Sequence, residues 1–272
     1  MKLLNGKELA SYIKERQARD VRALRQTHHI VPKLAIIRTN PDPVVDSYMK
    51  LKQEYGADIL IDVDVHTIDQ AAAKERIANL NADPSVHGII VQIPLPDPVE
   101  TTAILDSVGA NKDVDGLAVH TTFDPATPMA VGWLLAGYNV ELVGKQIVIV
   151  GHGRLVGKPL AKLWRSSGLY VTVADKKTPD LAEVTRQADV LITATGVPGL
   201  ITTNMVKPEA VIVDAGVATD KNGLIGDVAP EVRELPYITI TPEKGGVGPL
   251  TVCALFENVI RAAGRQVGKQ AA

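Results

Sequence analysis

Among its 272 residues the chain has a single cysteine, Cys253. That excludes a disulfide framework or a thiolate zinc cage within one chain, and it fits a reducing compartment. An excess of either charge is also missing, since 29 basic and 31 acidic residues leave a formal net charge of -2. With no whole-molecule field, neither nucleic acid nor an anionic membrane is expected as a partner, and any basic site has to be local. No apolar run approaches the roughly 20 residues that a bilayer span needs. The six histidines, at 28, 29, 66, 87, 120 and 152, lack a ligand spacing such as H-x-x-x-H, so no metal site is expected. Internal repeats and low-complexity segments are lacking too.

What is there is ordinary globular composition, 46% apolar and 22% charged, which excludes disorder as the main state. At roughly 100 to 200 residues per domain, the length fits two domains. Residues 1–25 mix Glu8, Glu15 and Asp20 with basic residues and lack a continuous apolar stretch. They read as an amphipathic surface helix rather than a signal or transit peptide, and a soluble, cytoplasmic protein is expected. Downstream, short β-branched runs alternate with helix-like stretches. LAIIRT from Leu34, ILIDVDV from Ile59 and GIIVQIPLP from Gly88 come first, then IVIVG from Ile147, YVTVAD from Tyr170, DVLITATG from Asp189 and AVIVDAG from Ala210. Continuous apolar strands separated by helices indicate parallel sheets covered on both faces, so the fold class is α/β. The Pro-, Gly- and Asp-rich stretch 108–128 separates the two sets, with a boundary near Thr121. A last helix, expected over 249–265, is free to pack back on the first domain.

The segment IVIVGHGRLVGKPLAKLW runs a buried strand into Gly151, Gly153 and Gly157 and then into a helix. A tight turn, a bare backbone and amides at a helix start together make a pyrophosphate cradle. The spacing G-x-G-x-x-x-G is one residue longer than the common fingerprint, and a plain strand-to-helix turn that needs glycine is the alternative reading. About 20 residues on, Asp175 ends YVTVAD, where an acid can accept from a ribose hydroxyl.

Tyr48 and Lys52 form an i, i+4 pair on a helical stretch stopped by Gly56, so phenol and ammonium share one face. Tyr-x-x-x-Lys also marks short-chain dehydrogenases, but there the glycine loop precedes the pair, whereas Gly151 follows it. Taken alone, the pair fits two residues on an exposed helix face better than it fits a site. Gln92 interrupts an apolar strand that ends at Pro94 and Pro96, and a buried amide without partners would cost about 1 to 3 kcal/mol. In NKDVDG, Asp113 and Asp115 sit in a turn where carboxylates commonly bond nearby amides.

In this order, Tyr48-x-x-x-Lys52, VQIPLP, KDVDG, ATP at 126–128, VGKP, VIVDAG, GDV at 226–228 and GGVGPLT at 245–251 resemble the bifunctional methylenetetrahydrofolate dehydrogenase/cyclohydrolase family. The resemblance runs from the Leu34 strand to the last helix. It departs from the family pattern at Val45, where a serine is usual, at Gly151-His152-Gly153, and at Glu243-Lys244 before Gly245.

The resemblance implies an N-terminal α/β domain and a Rossmann-type doubly wound parallel sheet facing each other across a cleft, with the C-terminal helix returning to the first domain. Residues 1–120 with 251–272 would form the catalytic folate domain, and 121–250 the dinucleotide domain. It implies oxidation of 5,10-methylenetetrahydrofolate with NADP or NAD, then hydrolysis of the 5,10-methenyl product to 10-formyltetrahydrofolate, in a typically homodimeric enzyme. By the same resemblance Lys52 serves hydrolysis as base or as donor, Gln92 orients it, Tyr48 stacks on the aminobenzoate ring, and Asp115 accepts from the pterin. Gly245, Gly246, Pro249 and Thr251 complete the folate site. Gly151, His152, Gly153, Arg154, Gly157, Asp175, Lys176, Thr195, Gly196 and Val217 hold the cofactor. Asp175 favours NAD, whereas Lys176, Lys177, His152 and Arg154 favour the 2′-phosphate of NADP, which is the cofactor expected. The alternatives are a dehydrogenase of this fold without hydrolase activity, a non-catalytic nicotinamide-binding sensor, and a shikimate-type dehydrogenase. KDVDG and GGVGPLT disfavour the last.

Overall fold

The computed structural model describes residues 1–220 and 223–270. Its elements are β1 (Lys2–Leu3), α1 (Gly6–Thr27), β2 (Lys33–Arg38), α2 (Pro43–Asp58), β3 (Asp62–Thr67), α3 (Ala73–Ala82), β4 (Gly88–Val91) and α4 (Thr101–Leu105). Then follow α5 (Ala126–Gly137), β5 (Ile147–Val150), α6 (Gly157–Ser166), β6 (Val171–Ala174), α7 (Leu181–Arg186), β7 (Val190–Thr193) and β8 (Val211–Asp214). The chain ends with β9 (Ala218–Asp220), β10 (Gly223–Ile225), β11 (Thr239–Ile240) and α8 (Val247–Gln270). No helix among the described residues is long and apolar enough to cross a membrane.

The chain divides into two compact units. One comprises Ser11–Ala126 and Val252–Ala272; Ala271 and Ala272, the end of the range expected for the first domain, lie outside the described residues. Its sheet is parallel, in the order β3-β2-β4. The central strand β2 has Leu34, Ala35, Ile36 and Ile37 fully buried, as a parallel strand covered on both faces requires. Ala35 and Ile37 pack with Ile77 and Leu80 of α3 and with Ile104 of α4. From α8, Phe256 stacks on Tyr55 of α2, ring centroids 4.9 Å apart, and the Asn258 amide donates to the carbonyls of Val114 and Asp124, each at 2.9 Å. The returning helix is thereby tied to the KDVDG turn.

The other unit comprises Met1–Ala10 and Thr127–Thr251. Its sheet, in the order β1-β11-β8-β7-β5-β6, is parallel throughout. The chain leaves β5 for β6 on one side and returns to β7 on the other, so the topological switch point lies between β5 and β7. The β9–β10 pair is antiparallel and separate.

The N-terminus departs from the helix expected over residues 1–25. Lys2 and Leu3 pair with Thr239 and Ile240, and the fully buried Leu4 donates its N–H to the Ile240 carbonyl at 2.9 Å. Burial of Leu4 and edge hydrogen bonds outweigh a further helical turn. Residues 1–10, assigned above to the first domain, therefore belong with the six-stranded sheet. From Gly6 the helix forms as expected, with Gln17, Val21 and Leu24 recurring on its buried face.

Candidate functional site

In the three-stranded unit the candidate residues gather around the end of β4. Gln92 follows the last residue of that strand, and its N–H donates to the Ile37 carbonyl at 2.9 Å, extending the pairing with β2. Its side chain is satisfied at both ends: Oε1 accepts from Lys52 Nζ at 2.8 Å and Nε2 donates to the Ile93 carbonyl at 3.2 Å. Lysine only donates, so the oxygen of the amide must face it. Lys52 rides on α2, whose start is capped by Asp42 Oδ1 accepting the Val45 N–H at 3.1 Å. Tyr48 lies one turn earlier on the same helix and is partly buried.

The KDVDG turn divides its labour. Lys112 donates to the carbonyls of Leu80 and Asp83 at 2.9 and 2.6 Å, satisfying the exit of α3. Asp113 is buried and accepts the Ala118 N–H at 2.9 Å, the turn-closing role common for such a residue. Asp115 is the acid of this turn whose charge reaches Lys52. Burial lowers the Lys52 ammonium below the usual lysine range, and the nearby Asp115 carboxylate opposes that shift. Burial raises Asp115 above the usual carboxylate range, and Lys52 pulls it back. Burial also raises the Tyr48 phenol. The group is thus an amine eased toward neutrality, tethered by an amide and balanced by one acid.

The residues expected to hold the dinucleotide lie at the carboxyl ends of strands in the six-stranded sheet. Gly151 leaves β5 with φ +102°, and a methyl group there would stand 2.4 Å from the Ala194 carbonyl oxygen. On Gly157, the first residue of α6, a methyl would stand 1.9 Å from the Gly151 carbonyl oxygen. These two positions allow the turn and the close approach of helix to strand. Gly153 differs, because a methyl there would meet nothing within 4 Å. Its exposed backbone is open to a ligand, so the loop fits a dinucleotide pyrophosphate. His152 and Arg154 flank it, both exposed.

Across the switch point, Thr195 and Gly196 follow β7, and a methyl on Gly196 would lie 3.3 Å from the carbonyl oxygen of Val217, past β8. Asp175, past β6, accepts the Lys177 N–H through Oδ1 at 2.8 Å and donates its own N–H to Thr178 Oγ1 at 3.0 Å, closing a turn that carries the exposed Lys176. Gly245, Gly246, Pro249 and Thr251 fall in this unit and not with Lys52. The Gly245 carbonyl accepts the Lys7 N–H at 2.9 Å, and Thr251 Oγ1 donates to the Val247 carbonyl at 3.3 Å within the first turns of α8.

A buried polar group beside these loops escaped the sequence reading. Asp214 ends β8 and pairs with Arg233 at 2.8 Å, and Asp227 is fully buried behind Thr195. Their only signal was an aspartate ending an apolar run in VIVDAG and another in GDV. No local spacing joins them.

The family described as Tetrahydrofolate dehydrogenase/cyclohydrolase matches the chain twice, its catalytic domain over residues 4–115 and its NAD(P)-binding domain over residues 125–267. The chain is 38% identical to the Bifunctional protein FolD of Exiguobacterium sibiricum over 96% of this chain and 99% of that protein. Its fold is similar to the crystal structure of the bifunctional FolD methylenetetrahydrofolate dehydrogenase/cyclohydrolase from Campylobacter jejuni, with TM-score 0.93 and 36% identity over 98% of this chain and 99% of that one. It is also similar to the FolD of Trypanosoma brucei, solved with NADP cofactor and an inhibitor, with TM-score 0.90 and 29% identity over 97% and 98% of the two chains.

Proposed function

Because the chain belongs to the tetrahydrofolate dehydrogenase/cyclohydrolase family, we propose that the Lys52 group is the folate site of an enzyme that oxidises 5,10-methylenetetrahydrofolate with a nicotinamide dinucleotide and hydrolyses the 5,10-methenyl product to 10-formyltetrahydrofolate. The observation that carries the site assignment is the 2.8 Å hydrogen bond from Lys52 to Gln92 beside Asp115. A lysine held by an amide and lowered by burial is equipped to exchange a proton with water.

In the oxidation, the folate methylene carbon gives up a hydride and the flanking nitrogens stabilise the cation left behind. The dinucleotide, when bound, supplies the nicotinamide that takes the hydride. The protein need only position the folate. Tyr48 stacks on the aminobenzoate ring and Asp115 accepts from the pterin N–H donors. Hydrolysis asks for more, because water must lose a proton as it attacks the methenyl carbon. Lys52, with one N–H committed to Gln92 Oε1, takes that proton through Nζ. The hydroxyl adduct then collapses to the N10-formyl carbonyl as the bond from carbon to N5 breaks and the hydroxyl proton passes to N5. The turn bonds of Asp113 and Lys112 keep Asp115 in place while this happens.

The reaction itself is tested by adding NADP to the enzyme with 5,10-methylenetetrahydrofolate. Methenyl absorbance should appear and then decay faster than in buffer. Appearance without accelerated decay would leave a dehydrogenase lacking the hydrolase.

Asp115→Ala is expected to weaken folate binding about ten- to hundredfold, the worth of a charge-assisted hydrogen bond of about 1.5 to 3 kcal/mol, with NADP affinity unchanged. Calorimetric titration with each ligand checks this. A drop in thermal stability with folate affinity intact would assign Asp115 to its turn alone.

NADP is the proposed cofactor, as in the trypanosomal relative's structure. Oδ1 of Asp175 already serves the Lys177 amide, and Lys176 beside it is exposed for a 2′-phosphate. An exposed lysine contributes modestly. Lys176→Ala should therefore lower the NADP-to-NAD ratio of kcat/KM by about three- to fivefold. A wild type that prefers NAD, with the substitution indifferent, would give the specificity to Asp175. A cytoplasmic homodimer completes the proposal, with the outer strands β3, β1 and β6 as candidate edges for pairing.

A further inference from the structure

We propose that Asp227 is the positioning residue of the cofactor loop Thr195–Val197, and that a relay from Arg233 through Asp214 holds it in place. The inference rests on reading the β5–β7 switch point as the dinucleotide site. Asp227 Oδ2 accepts the Thr195 N–H at 2.6 Å and Oδ1 accepts the Val197 N–H at 3.0 Å, with the Gly196 amide adding to the same carboxylate. Successive amides converging on one point form an anion nest. Here an internal carboxylate fills it. The nest is therefore closed to a cofactor phosphate, and the open Gly153 backbone is the one left for the pyrophosphate. The cofactor would meet the loop after β7 through side chains and carbonyls, whose directions Asp227 sets.

The relay is continuous. Arg233 donates to Asp214 Oδ2 at 2.8 Å and to the Thr241 carbonyl. Asp214 accepts, in turn, the Asp227 N–H at 3.0 Å and the Val228 N–H at 3.1 Å, fixing the backbone from which the Asp227 carboxylate projects. Two glycines make room for this interlock. A methyl on Gly216 would sit 2.1 Å from Asp227 Oδ1, and one on Gly226 would sit 2.1 Å from Asp214 Oδ2. That accounts for the glycines in VIVDAG and GDV, which the fold and the reaction leave unexplained.

Loss of the Asp227 charge should disturb the loop more than the fold. Gly196 and Val197 are exposed, so amides released from the carboxylate can turn to water. A neutral side chain at the fully buried position 227 carries no desolvation penalty for charge.

The test uses Asp227→Asn, which turns one acceptor into a donor facing an amide, and Gly216→Ala, which displaces the carboxylate without removing it. NADP binding is measured by calorimetry, and amide hydrogen exchange is followed along the chain. Both variants should bind NADP at least about tenfold more weakly, with faster exchange confined to the 194–197 loop. Wild-type affinity in a folded variant would overturn the proposal. So would faster exchange spread through β5 and β7, or loss of the fold in both variants, since each makes Asp227 a structural group only. Failure of the wild type to bind either NADP or NAD would overturn the dinucleotide reading first and this proposal with it.

Discussion

Lys52→Met should slow hydrolysis of 5,10-methenyltetrahydrofolate by about a hundred- to ten-thousandfold, the usual worth of a positioned acid or base, while methylenetetrahydrofolate oxidation is partly retained. Methionine keeps the length and apolar stem of the lysine but neither donates to Gln92 Oε1 nor carries a proton. The two activities separate because only water attack generates a proton to be removed at the folate. Supplying the methenyl compound directly and following its decay isolates the step. Decay at the wild-type rate would end the assignment of proton transfer to Lys52. Lys52→Arg is a useful companion, since it restores charge and donors but cannot become neutral. An active arginine variant would show that donation, not proton removal, is what the site needs.

Arg233→Met should cost about 3 to 5 kcal/mol, because it leaves Asp214 as a buried charge without its cation. The Asp214 side chain is 3% exposed and that of Arg233 13%, so water cannot compensate. The remaining donors to Asp214, from Thr193, Gly216, Asp227 and Val228, hold its oxygens but bring no full charge. A loss of this size lowers the melting temperature by roughly 10 °C. Scanning calorimetry of wild type and variant checks it, and a shift under about 2 °C would mean that the amides alone sustain the carboxylate. Arg233→Lys should fall between, since an ammonium cannot serve Asp214 and the Thr241 carbonyl with one planar fork.

Strands β2, β4, β5, β7 and β8 were legible in the sequence because parallel strands covered on both faces read as unbroken apolar runs, whereas the outer strands β3 and β6 are only half covered, and β3 begins at Asp62, three residues into its run, after a turn in which Leu60 has φ +65°. The two-residue strands β1 and β11 were not legible, since two residues carry no period and pair only across the length of the chain. The antiparallel β9–β10 pair was not legible either, since its strands are three residues each, too short to show an alternation. Among candidate residues, the spacing of Tyr48 and Lys52 fitted an exposed helix face and Gln92 a pinned strand end, and it was the ordered set of motifs that singled out Lys52 and Gln92, which meet at 2.8 Å. That Lys112 serves α3 and Asn258 serves the KDVDG turn was not legible. Each meets backbone carbonyls far away in sequence, and carbonyls leave no mark in the letters of a chain.

Neither unit is a contiguous stretch of polypeptide, and this governs the order in which the protein can be completed on the ribosome. The three-stranded unit waits for α8, which brings the fully buried Phe256 to Tyr55. The six-stranded unit is made nearly whole before that, yet its edge strand β1, Lys2–Leu3, has no neighbour until Thr239 and Ile240 emerge. Translation therefore carries an unfinished sheet until Thr239 and Ile240 are made, and the three-stranded unit closes only with the helix that follows them. Division of the gene between residues 126 and 127 would give two polypeptides, each missing a piece of its own core that the other carries.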